Sequence, residues 1–199
     1  MNIIDTHSHI YLEEFDADLA EVIERARLNG VTQIFLPNVD RSTLERMLQV
    51  SHAYKDYCYP MIGVHPTSVK ENYEEELVIV QQQLAASNEY IAVGEVGLDL
   101  YWDKTFIKEQ IYAFDKQIQW ALEYDLPLVI HSRDAFEQMC EVMYPYKDTS
   151  LRGIFHSFTG STEEASRLLE HANFLLGING VVTFKNSVLP ETLRSVPIE

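Results

Sequence analysis

The sequence predicts an α/β fold built on a parallel sheet, closed in the manner of a TIM-type (β/α)8 barrel. Three observations carry that expectation. Short apolar runs alternate strictly with helical patterns along all 199 residues, with no internal Gly/Ser linker. Polar or chemically active residues follow nearly every run (His7 and His9, Asn38, His65, Glu95, His131, His156, Asn179), whereas an open sheet gathers them at one switch point. The Gly-rich dinucleotide fingerprint is missing, since Gly63 and the Gly94-Glu95-Val96-Gly97 turn do not match it.

The first run, Asn2-Ile3-Ile4-Asp5-Thr6-His7-Ser8-His9, breaks off in two histidines one residue apart. Alternation along an extended strand puts both on one face, where they can grip one metal ion. Phe15, Leu19, Val22, Ile23 and Ala26 then recur at helical spacing across residues 14–29, and Asn29-Gly30 closes that helix. A strand over 31–36 precedes a helix over 41–54, striped by Leu44, Met47, Leu48 and Val50. The next strand, 57–64, ends in Gly63-Val64-His65-Pro66, and an acidic helix follows over 71–87. Ile91 to Gly94 reads as a strand stopping at Glu95, followed by a long helix over 104–124. A strand over 126–130 stops at His131, a helix covers 134–144, and Gly153 to Phe155 is a strand stopping at His156. Ser161-Thr162-Glu163-Glu164 reads as a capping box opening a helix to His171. Phe174 to Ile178 is the seventh strand, and residues 189–195 give a last helical pattern. A barrel of this type has eight strands. The chain stops at Pro197-Ile198-Glu199, where the eighth would begin, so the expectation is a single truncated barrel domain over 1–199.

Composition narrows the function. With 15 Lys plus Arg against 31 Asp plus Glu the formal charge is −16, which argues against wrapping a nucleic-acid duplex with basic side chains. Any phosphate must be held locally. The hydrophobic content of 46% suffices for a real core. Cys58 and Cys140 are too few and too far apart for a disulfide framework or a thiolate zinc site, which fits a reduced compartment. Neither a signal peptide nor an apolar run of roughly 18 residues is present, so the expectation is a cytoplasmic protein without membrane contact, taken as a monomer.

If the C-terminal strand ends share one rim, His7, His9, Glu95, His131 and His156 surround one small volume. Four imidazoles and a carboxylate suit zinc, manganese or iron better than calcium. They exceed what one catalytic ion needs, so two divalent ions bridged by Glu95 are expected; zinc, magnesium, manganese and iron are not distinguished. His65 has two readings, a catalytic or substrate contact and a loop-ordering hydrogen bond. Arg133, two residues past His131, is placed to hold a phosphate in a bidentate way or to pair with Asp134. Asp99 either orients a ligand histidine or caps a helix; Tyr101 and Trp102 either stack on a base or belong to the core. Lys185 is either a phosphate contact at the rim or an exposed lysine, and His52 and His171 read as surface residues.

At these residues the chain resembles the TatD family of metal-dependent deoxyribonucleases, within the amidohydrolase-like barrels. The matching segments are Asp5-Thr6-His7-Ser8-His9, Gly63-Val64-His65-Pro66, Gly94-Glu95-Val96-Gly97-Leu98-Asp99, His131-Ser132-Arg133-Asp134-Ala135, His156-Ser157-Phe158-Thr159-Gly160-Ser161 and Gly180-Val181-Val182-Thr183-Phe184-Lys185-Asn186. The resemblance implies two divalent metals held by His7, His9, Glu95, His131 and His156, and hydrolysis of DNA phosphodiesters, often 3′-to-5′ on single strands. It also implies an eighth strand with a Glu-Thr-Asp-Ala-Pro-like motif, whose aspartate is a metal ligand and general base; this chain ends before it. Fold and ligands alone leave two other outcomes open: hydrolysis of an amide or ester such as an aminoacyl-tRNA linkage, and a non-catalytic metal-binding module.

Overall fold

Seven strands run parallel in chain order in the computed structural model, which describes residues 2–197. They are β1 (Ile3–Asp5), β2 (Val31–Pro37), β3 (Cys58–Met61), β4 (Val93–Asp99), β5 (Leu128–Arg133), β6 (Gly153–Phe155) and β7 (Phe174–Leu176). The ladder is continuous within β1–β3 and within β4–β7. Between the two groups, an Ile62–Val93 bridge and bonds from Ile62 N–H to the Ala92 carbonyl (3.1 Å) and Gly94 N–H to the Ile62 carbonyl (2.9 Å) complete the sheet. Parallel strands paired in chain order and joined by helices are the arrangement of a TIM barrel, as expected. Among the described residues β1 and β7 each pair on one side only. Ile198 and Glu199, where an eighth strand was expected to open, lie outside the described residues.

Helices α1 (Leu19–Leu28), α2 (Arg41–Ala53), α3 (Tyr73–Ala86), α4 (Ile107–Glu123), α5 (Phe136–Met143), α6 (Thr162–Leu168) and α7 (Leu189–Thr192) fill the connections. Their starts are written in side-chain chemistry. Asp40 accepts the Ser42 N–H at 2.9 Å, and Thr43 Oγ1 accepts the Asp40 N–H at 3.2 Å. Ser161 and Glu164 form the reciprocal pair the sequence predicts, at 3.2 and 2.7 Å. Alternation on the strands divides the apolar residues into two layers. Ile34, Leu36, Leu128 and Ile130 join the main core under the helices, with Ile23, Met47, Phe114 and Ile118. Between them in sequence, Phe35 and Val129 turn to the other face and pack with Met61, Ala92 and Ile154 inside the sheet's curve.

Several boundaries differ from expectation. β1 ends at Asp5, so His7 and His9 stand on the segment after the strand rather than on it. β4 begins and ends later than expected and carries Glu95 within it; β5 likewise runs through His131 to Arg133. A single 3-10 turn at Glu13–Phe15 replaces the first expected turn of α1, and α7 ends at Thr192. Gly97 makes the β4–β5 approach feasible: its φ of +135° lies outside the range of most side chains, and a Cβ there would stand 2.0 Å from the His131 carbonyl oxygen.

Candidate metal centre

Glu95 is the hub. Its register with β5 shifts between Val93 and Val96, a bulge of the kind that re-aims one side chain. Its buried carboxylate reaches four histidines. Oε2 lies 3.0 Å from His7 Nε2, 3.9 Å from His9 Nε2 and 3.8 Å from His65 Nε2; Oε1 lies 3.0 Å from His131 Nδ1. Burial alone would raise its pKa, yet the hydrogen bonds from His131 and His7 outweigh that and hold it well below the usual carboxylate range. His156 approaches from β6 by a different contact, its ring stacked on His7 with centroids 3.5 Å apart. Ring ends from β1 and β6 thus meet across the mouth of the curved sheet.

The partners of the other ring nitrogens assign the tautomers. Tyr11 donates its hydroxyl proton to the Pro37 carbonyl, so toward His9 Nδ1, 2.7 Å away, it acts as acceptor. His9 therefore carries its proton on Nδ1 and turns the Nε2 lone pair toward Glu95. His65 is the reverse. The Thr67 N–H donates to His65 Nδ1 at 3.2 Å, which leaves Nε2 as a donor facing the same carboxylate. Burial keeps that ring neutral, its pKa pushed down to about 4. His131 is gripped at both ends, Nε2 lying 2.9 Å from Asp99 Oδ2. Burial works against its charge, but Glu95 and Asp99 raise its pKa overall. Of the two readings of Asp99, orienting a histidine is the one the geometry satisfies.

Two sets of donors can each close around an ion: His7, His9 and Glu95, and His65, Glu95 and His131. They share Glu95, whose Oε2 faces His7, His9 and His65 and whose Oε1 faces His131. The residues fit a metal by the chemistry of the donor set: imidazole nitrogens gathered about one buried carboxylate suit a borderline divalent ion.

The remaining residues fall outside the carboxylate's reach. Arg133 forms no ion pair with Asp134 among the described residues; its guanidinium lies over the Tyr101 ring, 3.7 Å from the centroid. Tyr101 and Trp102 are exposed and not core. Lys185 stands exposed in the loop after β7, without contact to Glu95 or its histidines. Asn38 is consumed structurally, donating to the Gly63 carbonyl at 2.9 Å. His52 pairs with Glu89 on the surface at 2.7 Å, whereas His171, expected on the surface, is half-buried beside Phe155 and Phe174.

Two residues that sequence reasoning passed over hold the site's backbone. Gln110 of α4 accepts the Asp99 N–H at 2.9 Å and donates to the Asp99 carbonyl at 3.1 Å. Two turns on, Gln117 accepts the Val64 N–H at 2.7 Å and donates to the Val64 and Ala113 carbonyls. One helix thus clamps the residue that orients His131 and the residue next to His65. The signal is present in the sequence: Gln110, Ala113, Phe114, Gln117, Ile118 and Ala121 form one helical stripe, with two amides where apolar residues belong.

A parallel barrel sheet whose rim gathers histidines about a buried, shared carboxylate defines a metal-dependent hydrolase. The family model described as TatD related DNase matches residues 4–199, and the chain belongs to that family. It is 39% identical to the uncharacterized metal-dependent hydrolase YabD of Bacillus subtilis over 98% of this chain and 76% of that protein. It is 31% identical to the 3′-5′ ssDNA/RNA exonuclease TatD of Pantoea ananatis, over 94% and 72% respectively. In structure it is similar to YjjV, a TatD homolog from Escherichia coli K12, with a TM-score of 0.89 at 28% identity, covering 98% of this chain and 75% of the other. Among the described residues no helix is long and apolar enough to cross a membrane.

Proposed function

We propose that this protein is a two-metal nuclease that hydrolyses phosphodiester bonds of single-stranded DNA or strand ends, working from the 3′ end. The observation that carries the reading is the division of Glu95, Oε2 toward His7 and His9 and Oε1 toward His131. A carboxylate bridging two donor sets is what a pair of ions clamping a phosphoryl group requires. His7, His9 and Glu95 would hold one ion, and Glu95, His131 and His156 the other. His156 fits that part because burial presses its pKa down to about 4, leaving a nitrogen free of protons near neutral pH. His65 is better suited to substrate, since its Nε2 carries a proton.

When bound, the pair supplies Lewis-acid polarisation of a phosphoryl oxygen and a lowered pKa for water. The chain's own groups do the rest. His65 donates from Nε2 to a phosphate oxygen, Arg133 offers its guanidinium to the same group, and Lys185 stands further out at the rim for an adjoining phosphate. Asp99 holds the His131 ring in place. The relative named as a 3′-5′ ssDNA/RNA exonuclease supports the choice of bond and polarity.

The test is release of mononucleotides from a 5′-labelled oligonucleotide, with and without a chelator. Stepwise shortening from the 3′ end, abolished by chelation and restored by manganese or zinc, is the expected result. Unchanged shortening in chelator overturns the mechanism. Metal-dependent cleavage of an aminoacyl ester with no shortening of DNA transfers the site to amide or ester hydrolysis.

A further inference from the structure

We propose that Trp102, with Tyr101 and Arg133, is a stacking platform for a nucleobase of the strand whose phosphate enters the Glu95 site. The proposal rests on the nuclease reading for the position of the phosphate, and adds to it what holds the base. Trp102 is 72% exposed and Tyr101 51%, a large apolar surface to leave in water at the mouth of a site. The two rings stand 4.7 Å apart at 88°, so the indole is not covered by the phenol. Arg133 covers the phenol instead, its guanidinium 3.7 Å from the Tyr101 centroid and 5.4 Å from that of Trp102.

The platform is tied to the metal centre by one short connection. Asp99 accepts the Tyr101 N–H on Oδ1 at 3.1 Å while its Oδ2 faces His131 Nε2. Two residues of chain span at most roughly 7 Å, so the aromatic pair begins about one nucleotide's reach from the donors. β4 and β5 are in register there, Asp99 opposite Arg133. An apolar protein partner would need the rings but not the cation. A nucleotide uses both, a π face for the indole and a phosphate for a guanidinium that has no carboxylate partner among the described residues. Charge points the same way. At −16 the net charge does little to draw a strand in, and a stacking contact adds hold that does not depend on it.

The indole itself reports the contact. The chain has two tryptophans, and Trp120 is 8% exposed within the core, so Trp102 is the one a ligand can reach. A short oligothymidylate with phosphorothioate linkages is titrated into the metal-loaded protein, beside an abasic strand of equal length that keeps every phosphate and lacks every base. The expected result is quenching of emission by the first and not the second. Trp102→Ala weakens oligothymidylate binding on the order of tenfold, read by anisotropy of an end label, and leaves the abasic strand unchanged, while Trp102→Phe restores most of the loss. Equal binding of the two strands, or equal affinity of wild type and Trp102→Ala, overturns the platform. So does an emission shift that follows protein concentration alone, which gives the face to a second copy of the chain. Quenching without hydrolysis of an unmodified strand keeps the platform and removes the nuclease reading; hydrolysis without base-dependent quenching does the opposite.

Discussion

Nδ1 of His131 lies 3.0 Å from Oε1 of Glu95, and this one contact joins the hub carboxylate to the far side of the site. The other ring nitrogen is held by Asp99 at 2.9 Å, so the imidazole is suspended between two acids; burial works against its charge, but the two carboxylates raise its pKa overall. An ion entering there must displace the Nδ1 proton, and Asp99 then holds the Nε2 proton and keeps the ring basic. Asp99→Asn is nearly isosteric but removes that charge. Metal affinity at the Glu95–His131 side is expected to fall 10- to 100-fold, measured by competition with a chromogenic chelator. An unchanged affinity would show that the ring's orientation needs no acid behind it.

Acid should unsettle the metal-free fold well above the range in which carboxylates protonate. Burial pushes His65 and His156 each down to about 4, from an ordinary 6.5. Between pH 6.5 and 4 the unfolded chain binds more protons at these two rings than the folded chain does, so stability falls as pH falls through that window. His131 has the opposite sign: its stabilisation is fully present below its unfolded pKa and is lost as pH rises through its raised folded value. His9 and His171 are lowered by burial as well, so four depressed rings stand against one raised ring. The urea midpoint of the chelator-treated protein is expected to drop between pH 7 and pH 5, with a smaller drop in His156→Asn. A midpoint that rises on acidification would reverse the assignment of neutral rings.

The parts of the site that could be read from the sequence are those whose chemistry and topology agree. His7, His9, Glu95 and His131 are donors following apolar runs, and a parallel sheet carries such positions to one rim whatever the exact strand ends. The strands β4 and β5 end later than the sequence pattern predicts. Glu95, Gly97 and Asp99 look like the end of a strand because a charged or glycine-rich stretch has weak β propensity. Tertiary pairing overrode that preference: Gly97 lies opposite His131 and Asp99 opposite Arg133, where the backbone bonds to β5 are worth more than propensity. The aromatic pair after Asp99 reads equally as a base-stacking pair or as core, since an apolar dipeptide in a loop has no period to decide its face. Burial of His171 depended on Phe155 and Phe174, neighbours in space that no local pattern reveals.

Gln117 should behave as a residue of the site although it sits in the core at 1% exposure. Replacement by Leu keeps the volume and removes the acceptor for the Val64 N–H and the donor for its carbonyl. Leaving those groups unsatisfied costs roughly 1–3 kcal/mol of stability, read by chemical denaturation. The loop that carries His65 is freed at the same point, so KM for an oligonucleotide is expected to rise while metal affinity, which does not pass through Val64, stays within twofold. Gln117→Glu keeps the acceptor but buries a carboxylate oxygen against the Val64 and Ala113 carbonyls, and should cost at least as much stability as the Leu variant. Equal losses of metal affinity and KM would make Gln117 a plain packing residue.

Tyr11 provides the cleanest separation of ring orientation from ring chemistry. Its phenol is buried and donates to the Pro37 carbonyl, and burial raises its pKa, so it stays protonated across the working range. That single proton being committed, the oxygen accepts from His9 Nδ1 and leaves Nε2 as the free lone pair. Tyr11→Phe fills the same space and removes the acceptor. His9 is then free to adopt the other tautomer, with its proton on Nε2 and its lone pair turned from Glu95. Metal affinity at the His7–His9 side is expected to weaken about tenfold or more, while affinity at the Glu95–His131 side, oriented separately by Asp99, holds. Two-site titration with cobalt resolves the pair by their separate absorption changes. Weakening of both sides together would mean that Glu95, rather than the partner behind each histidine, sets the geometry of the whole centre.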